Sequence, residues 1–169
     1  MGLSNALSGG IILFGITYVI FTFGGFTDTA ASFSETSHKI SDLESKLAKT
    51  SIAATIESIP GTDTTFDFDI TNLNLEKLWD FENFDIIITY DSGGVTYTTT
   101  QTFDSVCPPV SGEWCISSWT SDVLDPEILN NGETITITTE IANALQSSTD
   151  LIVIVSTPNG VVASATRTV

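Results

Sequence analysis

The chain has 169 residues and a formal net charge of −16, from 21 acidic against 5 basic side chains, with nearly all of the imbalance after Thr50. A surface of that sign disfavours nucleic acid and anionic lipid headgroups, since both need a basic footprint. It suits an exposed domain in salty medium, or one facing cations or a basic partner, and the length leaves about one globular domain beyond the N-terminal segments.

The first stretch, Met1 to Phe26, has no charged side chain. From Leu3 to Phe26 a helix would run roughly 36 Å at 1.5 Å per residue, against a hydrocarbon core of about 30 Å. The run predicts one transmembrane helix over residues 1–26, with Leu3, Leu7, Ile11, Ile12, Leu13, Phe14, Ile16, Tyr18, Val19, Ile20, Phe21 and Phe23 facing lipid. A cleavable secretory signal would carry a basic n-region and a small-residue cleavage site, but Lys and Arg are absent before Lys39. A buried core helix would need apolar helices around it, and the rest of the chain offers none of that length. The count of Lys39, Lys46 and Lys49 after the span leans toward a cytoplasmic domain. Two of these lysines lie at or beyond the edge of the window in which the rule acts, and long domains translocate largely regardless of charge. The expected location is therefore the cell membrane, single-pass, with the following domain on the extracytoplasmic side.

Residues 27–50 turn polar without Pro or Gly, so the helix is expected to continue as a stalk, with Gly24-Gly25 as the place for a bend. Phe33, Thr36, Ile40, Leu43, Leu47 and Thr50 alternate at spacings of four and three, the pattern of a helix seam. Phe33, Ile40, Leu43 and Leu47 would support homo-oligomerisation through that seam. The same stripe would serve equally to lay the helix on its own domain.

From Ser51 the period becomes alternating. Ser51 to Ile59 is followed by the Pro60-Gly61 break, and Thr64 to Thr71 alternates Phe66, Phe68 and Ile70 with Asp67 and Asp69. Asn83 to Tyr90 and Val95 to Phe103 are expected to form a hairpin about Ser92-Gly93-Gly94. Thr134 to Glu140 follows the Asn130-Asn131-Gly132 turn. Leu151 to Val155 is wholly apolar and suits a central strand buried on both faces. Pro158-Asn159-Gly160 then turns the chain into a last strand, Val161 to Val169. Such strands predict an all-β fold over residues 51–169: an immunoglobulin-like antiparallel β-sandwich preceded by the transmembrane helix and its helical stalk.

Cys107 and Cys115 enclose a loop containing Pro108-Pro109. Their spacing fits no zinc pattern, which leaves a local disulfide, implying an oxidising compartment, or two reduced and partly buried thiols. His38 is the only histidine, so triads and His-based metal sites are not expected. Asp67 and Asp69 share a strand face and either offer carboxylates to a divalent ion or form the wet side of a sheet. No cofactor, metal site or catalytic residue is expected, and the chain reads as a binding protein rather than an enzyme. Trp114 and Trp119 flank the second cysteine. They are candidate partner-contact residues on a stiffened loop, or else core residues covering the disulfide.

The opening Met1-Gly2-Leu3-Ser4 before an apolar helix, the stretch Asp69-Ile70-Thr71-Asn72-Leu73-Asn74 to Leu78 and Phe81, and Phe84-Asp85-Ile86-Ile87-Ile88-Thr89-Tyr90 are similar to the FlaF/FlaG group of archaeal motor accessory proteins. Leu124-Asp125-Pro126-Glu127-Ile128-Leu129-Asn130-Asn131-Gly132-Glu133-Thr134-Ile135-Thr136-Ile137 and Thr157-Pro158-Asn159-Gly160-Val161 resemble the C-terminal half of that group. The resemblance implies a non-enzymatic anchor of the archaellum: a β-sandwich held outside the membrane on one helix, bound to the surface-layer protein, and acting as a stator. It also implies partnership with other archaellum motor components, including a FlaG-like protein, and with the membrane, but not with nucleic acid. The alternative is a filament subunit of archaellin or pilin type that polymerises through the N-terminal helix and forms part of a cell-surface filament. Such precursors carry basic residues and a cleavage site before the apolar core, and Met1 to Gly10 has no Lys or Arg.

Overall fold

A computed structural model describes the backbone of residues 2–59, 63–120, 122 and 125–169, without side chains at positions 2–7, 23–28, 30 and 58. The Pro60-Gly61 break, Leu124, and the side chains of Leu3, Leu7 and Phe23 lie outside the described residues. The chain forms two compact units, Met1–Glu44 and Ser45–Val169.

The first unit is helical. Helix α1 covers Gly2–Lys49, so its last turn belongs to the second unit, and its helical backbone runs through Gly24-Gly25 without a break. Threonine hydroxyls inside a helix can bond back to the carbonyl four residues earlier, and Thr17, Thr22 and Thr36 donate to the carbonyls of Leu13, Tyr18 and Ser32 at 2.8, 2.7 and 2.9 Å. From Ile11 to Phe21 the large apolar side chains are 50–78 % exposed. Phe33, Ile40, Leu43 and Leu47 are also exposed, and the Glu35–Lys39 pair at 2.8 Å is a solvated i,i+4 contact of small worth. Among the described residues no helix is long and apolar enough to cross a membrane.

The second unit is a β-sandwich built from β1 (Ile52–Ser58), β2 (Thr65–Asn72), β3 (Asp85–Ser92), β4 (Val95–Phe103), β5 (Glu113–Thr120), β6 (Thr134–Glu140), β7 (Asp150–Ser156) and β8 (Val162–Thr168). The strands hydrogen-bond in one continuous order, β1-β2-β6-β5-β4-β3-β7-β8, and the short β4–β5 contact divides it into the two layers β1-β2-β6-β5 and β4-β3-β7-β8. These are the ABED and C′CFG orders of an immunoglobulin-type sandwich. Alternation places Phe66, Phe68, Ile70, Ile135 and Ile137 of the first sheet opposite Ile86, Ile88, Leu151, Val153 and Val155 of the second, all at most 1 % exposed. Each such side chain contributes about 1.5–3 kcal/mol by leaving water, which makes period-two burial the dominant stabilising pattern.

Three features differ from the sequence expectation. The sandwich is not wholly antiparallel: β4 and β5 run parallel where Thr102 pairs with Glu113 and Phe103 with Trp114, a two-residue seam that joins the sheets. Strand β5 was not expected, because the Cys115-to-Thr120 stretch lacks an alternating apolar pattern: Cys115 is buried beside buried Trp114, and a bulge lies between Ile116 and Ser118. Strand β7 is buried on one face only, since Leu151, Val153 and Val155 point inward while Ile152 and Ile154 are half-buried. The hairpin forms as expected, with Gly93 and Gly94 at φ of +57° and +79° supplying the left-handed pair that a two-residue turn requires.

Candidate functional site

Within the second unit, the end of the sandwich that meets the last turn of α1 is built by side-chain amides. An α-helix ends with four carbonyls that lack intrahelical partners, and here all of them are satisfied. Thr50 donates from Oγ1 to Lys46 O at 2.8 Å and from its backbone N–H to Leu47 O at 3.2 Å. Asn74 Nδ2 donates to Ala48 O at 3.2 Å, and the Glu76 N–H to Lys49 O at 3.1 Å. Asn159, in the β7–β8 turn, donates to Thr50 Oγ1 at 3.3 Å, and Leu73 N–H to Ser51 O at 2.8 Å. Only Thr50 and Ser51 separate the last helical residue from β1.

Asn72 organises the donors. It is fully buried, and its Nδ2 donates to Glu76 O at 2.7 Å and Leu129 O at 2.9 Å while its Oδ1 accepts from Asn74 N–H at 3.1 Å. The bonds to Glu76 and Asn74 fold residues 72–76 into the Asx-type turns that short amide side chains favour, and the bond to Leu129 ties that turn to the β5–β6 loop. Around this core the Leu78–Leu129 bridge and the Lys77–Asp125 ion pair tie the β2–β3 loop to the β5–β6 loop. Buried Glu133 accepts from Asn130 N–H at 2.8 Å and from its Nδ2 at 3.0 Å, fixing the second loop. A cleft of about 140 Å³ opens between Lys46, Glu76, Trp79, Phe84 and Asn159. Leu73, Leu75 and Trp79 are 56, 74 and 66 % exposed on the same loop.

The second candidate region is the loop before β5. Cys107 and Cys115 form a disulfide with Cα atoms 5.7 Å apart, and the Cys107–Pro108 peptide is cis. Trp114 does not present itself to a partner: it is fully buried and packs edge-on against Phe103, with centroids 4.7 Å apart. Its place in a strand whose inward face meets the core overrides the loop reading. Trp119 is half-buried, edge-on to Phe81 at 5.7 Å, so at most one face remains available. Asp67 accepts from Thr138 Oγ1 at 2.6 Å as part of the outer sheet face.

Solved structures that resemble the chain include two from the archaellum of one organism. The archaellum periplasmic stator protein FlaG from Sulfolobus acidocaldarius is 17% identical, with 70% of this chain and 99% of that one covered and a TM-score of 0.48. The complex of the archaellum periplasmic stator proteins FlaF and FlaG from the same organism gives 16% identity, 68% and 87% coverage, and a TM-score of 0.47. No family model matches the chain, and no curated protein matches it.

Sequence reasoning missed the amide joint and the exposed Leu75 and Trp79. The signal for the joint was Asn72-Leu73-Asn74 at the end of a strand, a pairing of turn-forming amides that marks side-chain capping as much as a simple turn.

Proposed function

We propose that the chain is a non-enzymatic, membrane-anchored structural component of the archaellum motor, in which α1 holds the sandwich outside the cell membrane and the sandwich binds the surface layer as a stator. The observation that carries this reading is the joint: every terminal carbonyl of α1 is bonded within the sandwich unit, and two residues separate helix from strand. A stator must pass a reaction force from its fixed end to its working end, and a flexible linker would dissipate it. Membrane attachment is supported by the charge-free run Met1 to Phe26, and the archaellum context by the resemblance of the loop and strand motifs to the FlaF/FlaG group. The disulfide supports an oxidising, extracytoplasmic setting for the sandwich. Weak contacts repeated across a lattice would sum by avidity, because each further contact is made at fixed geometry.

The test is co-sedimentation of the full chain, in lipid nanodiscs, with purified surface-layer sheets. Saturable binding supports the proposal, and absence of binding at every salt and pH tried rejects it. The filament reading draws on one observation, the exposed Phe33, Ile40 and Leu43 at seam spacing. Helical filaments of the purified chain in electron micrographs would favour it over the anchor.

A further inference from the structure

The chain has three tryptophans, and two of them serve the core: Trp114 packs on Phe103 and Trp119 on Phe81. Trp79 does not. It is 66 % exposed and stacks on no other aromatic ring among the described residues. Leaving an indole in water forgoes one of the largest burial gains open to a side chain. The backbone beneath it is nevertheless fixed on both sides. Its neighbour Leu78 is buried and exchanges backbone bonds with Leu129 at 3.2 and 2.7 Å. On the other side Asp80 opens the 3-10 turn Phe81–Asn83, accepting from Asn83 N–H at 3.2 Å and from its Nδ2 at 2.9 and 3.0 Å. A ring presented on a fixed backbone loses little freedom when a ligand covers it.

Trp79 lines the cleft of about 140 Å³ together with Lys46, Glu76, Lys77, Asp80 and Asn159, all within the second unit. Pockets for drug-sized ligands run to about 300–1,000 Å³, so this cleft takes one ring of a longer molecule. Two ammonium groups and two carboxylates line it, which makes it formally neutral in a chain of net charge −16. Charge then narrows the ligand. An anion would approach against the field of the whole chain. A cation would meet Lys46 and Lys77 beside the ring that should hold it. A wholly apolar ligand would bury charged walls without partners. A neutral molecule with an apolar face and a rim of hydroxyls satisfies all three conditions, and a sugar ring is such a molecule.

The polar groups suit it. The Glu76 carboxylate has no hydrogen-bond partner among the described residues and accepts from hydroxyls. Asn159 spends one Nδ2 proton on Thr50 Oγ1 and keeps the other, along with its Oδ1. Hydroxyl bonds to a carboxylate are of the stronger, charge-assisted kind.

We propose that the cleft beside Trp79 binds a neutral sugar residue of a glycan, with the C–H face of the ring on the indole and the hydroxyls on Glu76 and Asn159. This site goes beyond the stator reading and does not rest on it.

The experiment is saturation-transfer NMR on the full chain in nanodiscs. The probes are neutral trisaccharides of glucose, of mannose and of galactose, with a trimer of galacturonic acid as the charged control. At least one neutral trisaccharide is expected to bind saturably, with the strongest transfer to the C–H protons of one ring face, and the uronate is expected to bind more weakly than that sugar. Trp79→Ala should weaken the binding roughly tenfold or more, as loss of a central aromatic contact does. Glu76→Gln should weaken it several-fold through loss of the charge-assisted bonds. Failure of all three neutral sugars to bind overturns the proposal, as does equal binding by Trp79→Ala or tighter binding of the uronate. If Trp79→Ala lowers the melting temperature, Glu76→Gln decides, since its carboxylate bonds to nothing in the described fold.

Discussion

The side-chain amide of Asn74 donates to the carbonyl of Ala48 across 26 positions of sequence, at 3.2 Å, and so caps the end of a helix from the loop after β2. Asn72 holds that loop in place from beneath with three side-chain bonds. Asn74→Ala should therefore cost about 1 kcal/mol, the usual net worth of one hydrogen bond, and Asn72→Ala about 3 kcal/mol, because it removes three bonds at a fully buried position, with the Leu129 carbonyl left only its bond from Leu78 N–H. Urea unfolding checks the order, and equal losses would refute the hierarchy.

Trp114 and Trp79 are expected to behave oppositely. Trp114→Ala empties a fully buried site and should cost about 3–5 kcal/mol. Trp114→Phe should cost distinctly less, since the indole N–H has no hydrogen-bond partner among the described residues. Trp79, exposed beside the joint, should tolerate Ala within about 0.5 kcal/mol. Thermal denaturation of the three variants separates them.

Replacing Cys107 and Cys115 by Ser opens a loop with a sequence separation of 8 and should cost about 2.5 kcal/mol on the chain-entropy model. The loss should be visible as a lower urea midpoint at nearly unchanged slope. The same variant uncovers the Ile116 side of β5, so it should also aggregate sooner on refolding.

Arg167→Met keeps the aliphatic stem but removes the guanidinium that bonds Ile56 and Glu57. The predicted loss is about 1 kcal/mol. Faster amide exchange in β1 than in β2 would show that the effect is local to the β1–β8 side.

Much of the sandwich was legible because its period was. Phe66-Asp67-Phe68-Asp69-Ile70 and Thr134 to Glu140 alternate cleanly, and Gly93-Gly94 can serve little but a tight turn. Strand β5 was not legible: its bulge breaks the alternation, and proline and cysteine just before it signal a loop. Trp114 was ambiguous for the same reason, since a tryptophan beside a disulfide serves core and contact alike until the strand's inward face is known. The amide joint depends on Asn74 meeting Ala48, a long-range pairing that local propensity does not encode.

The central claim is that the last turn of α1, bonded into the sandwich unit, lets the sandwich serve as the working end of a stator. Replacing Thr50-Ser51 with a flexible Gly/Ser linker of about ten residues removes the caps on Lys46 and Leu47 and loosens β1 from the last turn of α1. In a motile host, the stator reading predicts that the variant still reaches the membrane and binds surface-layer sheets while swimming is lost. Swimming at the parent speed would contradict it.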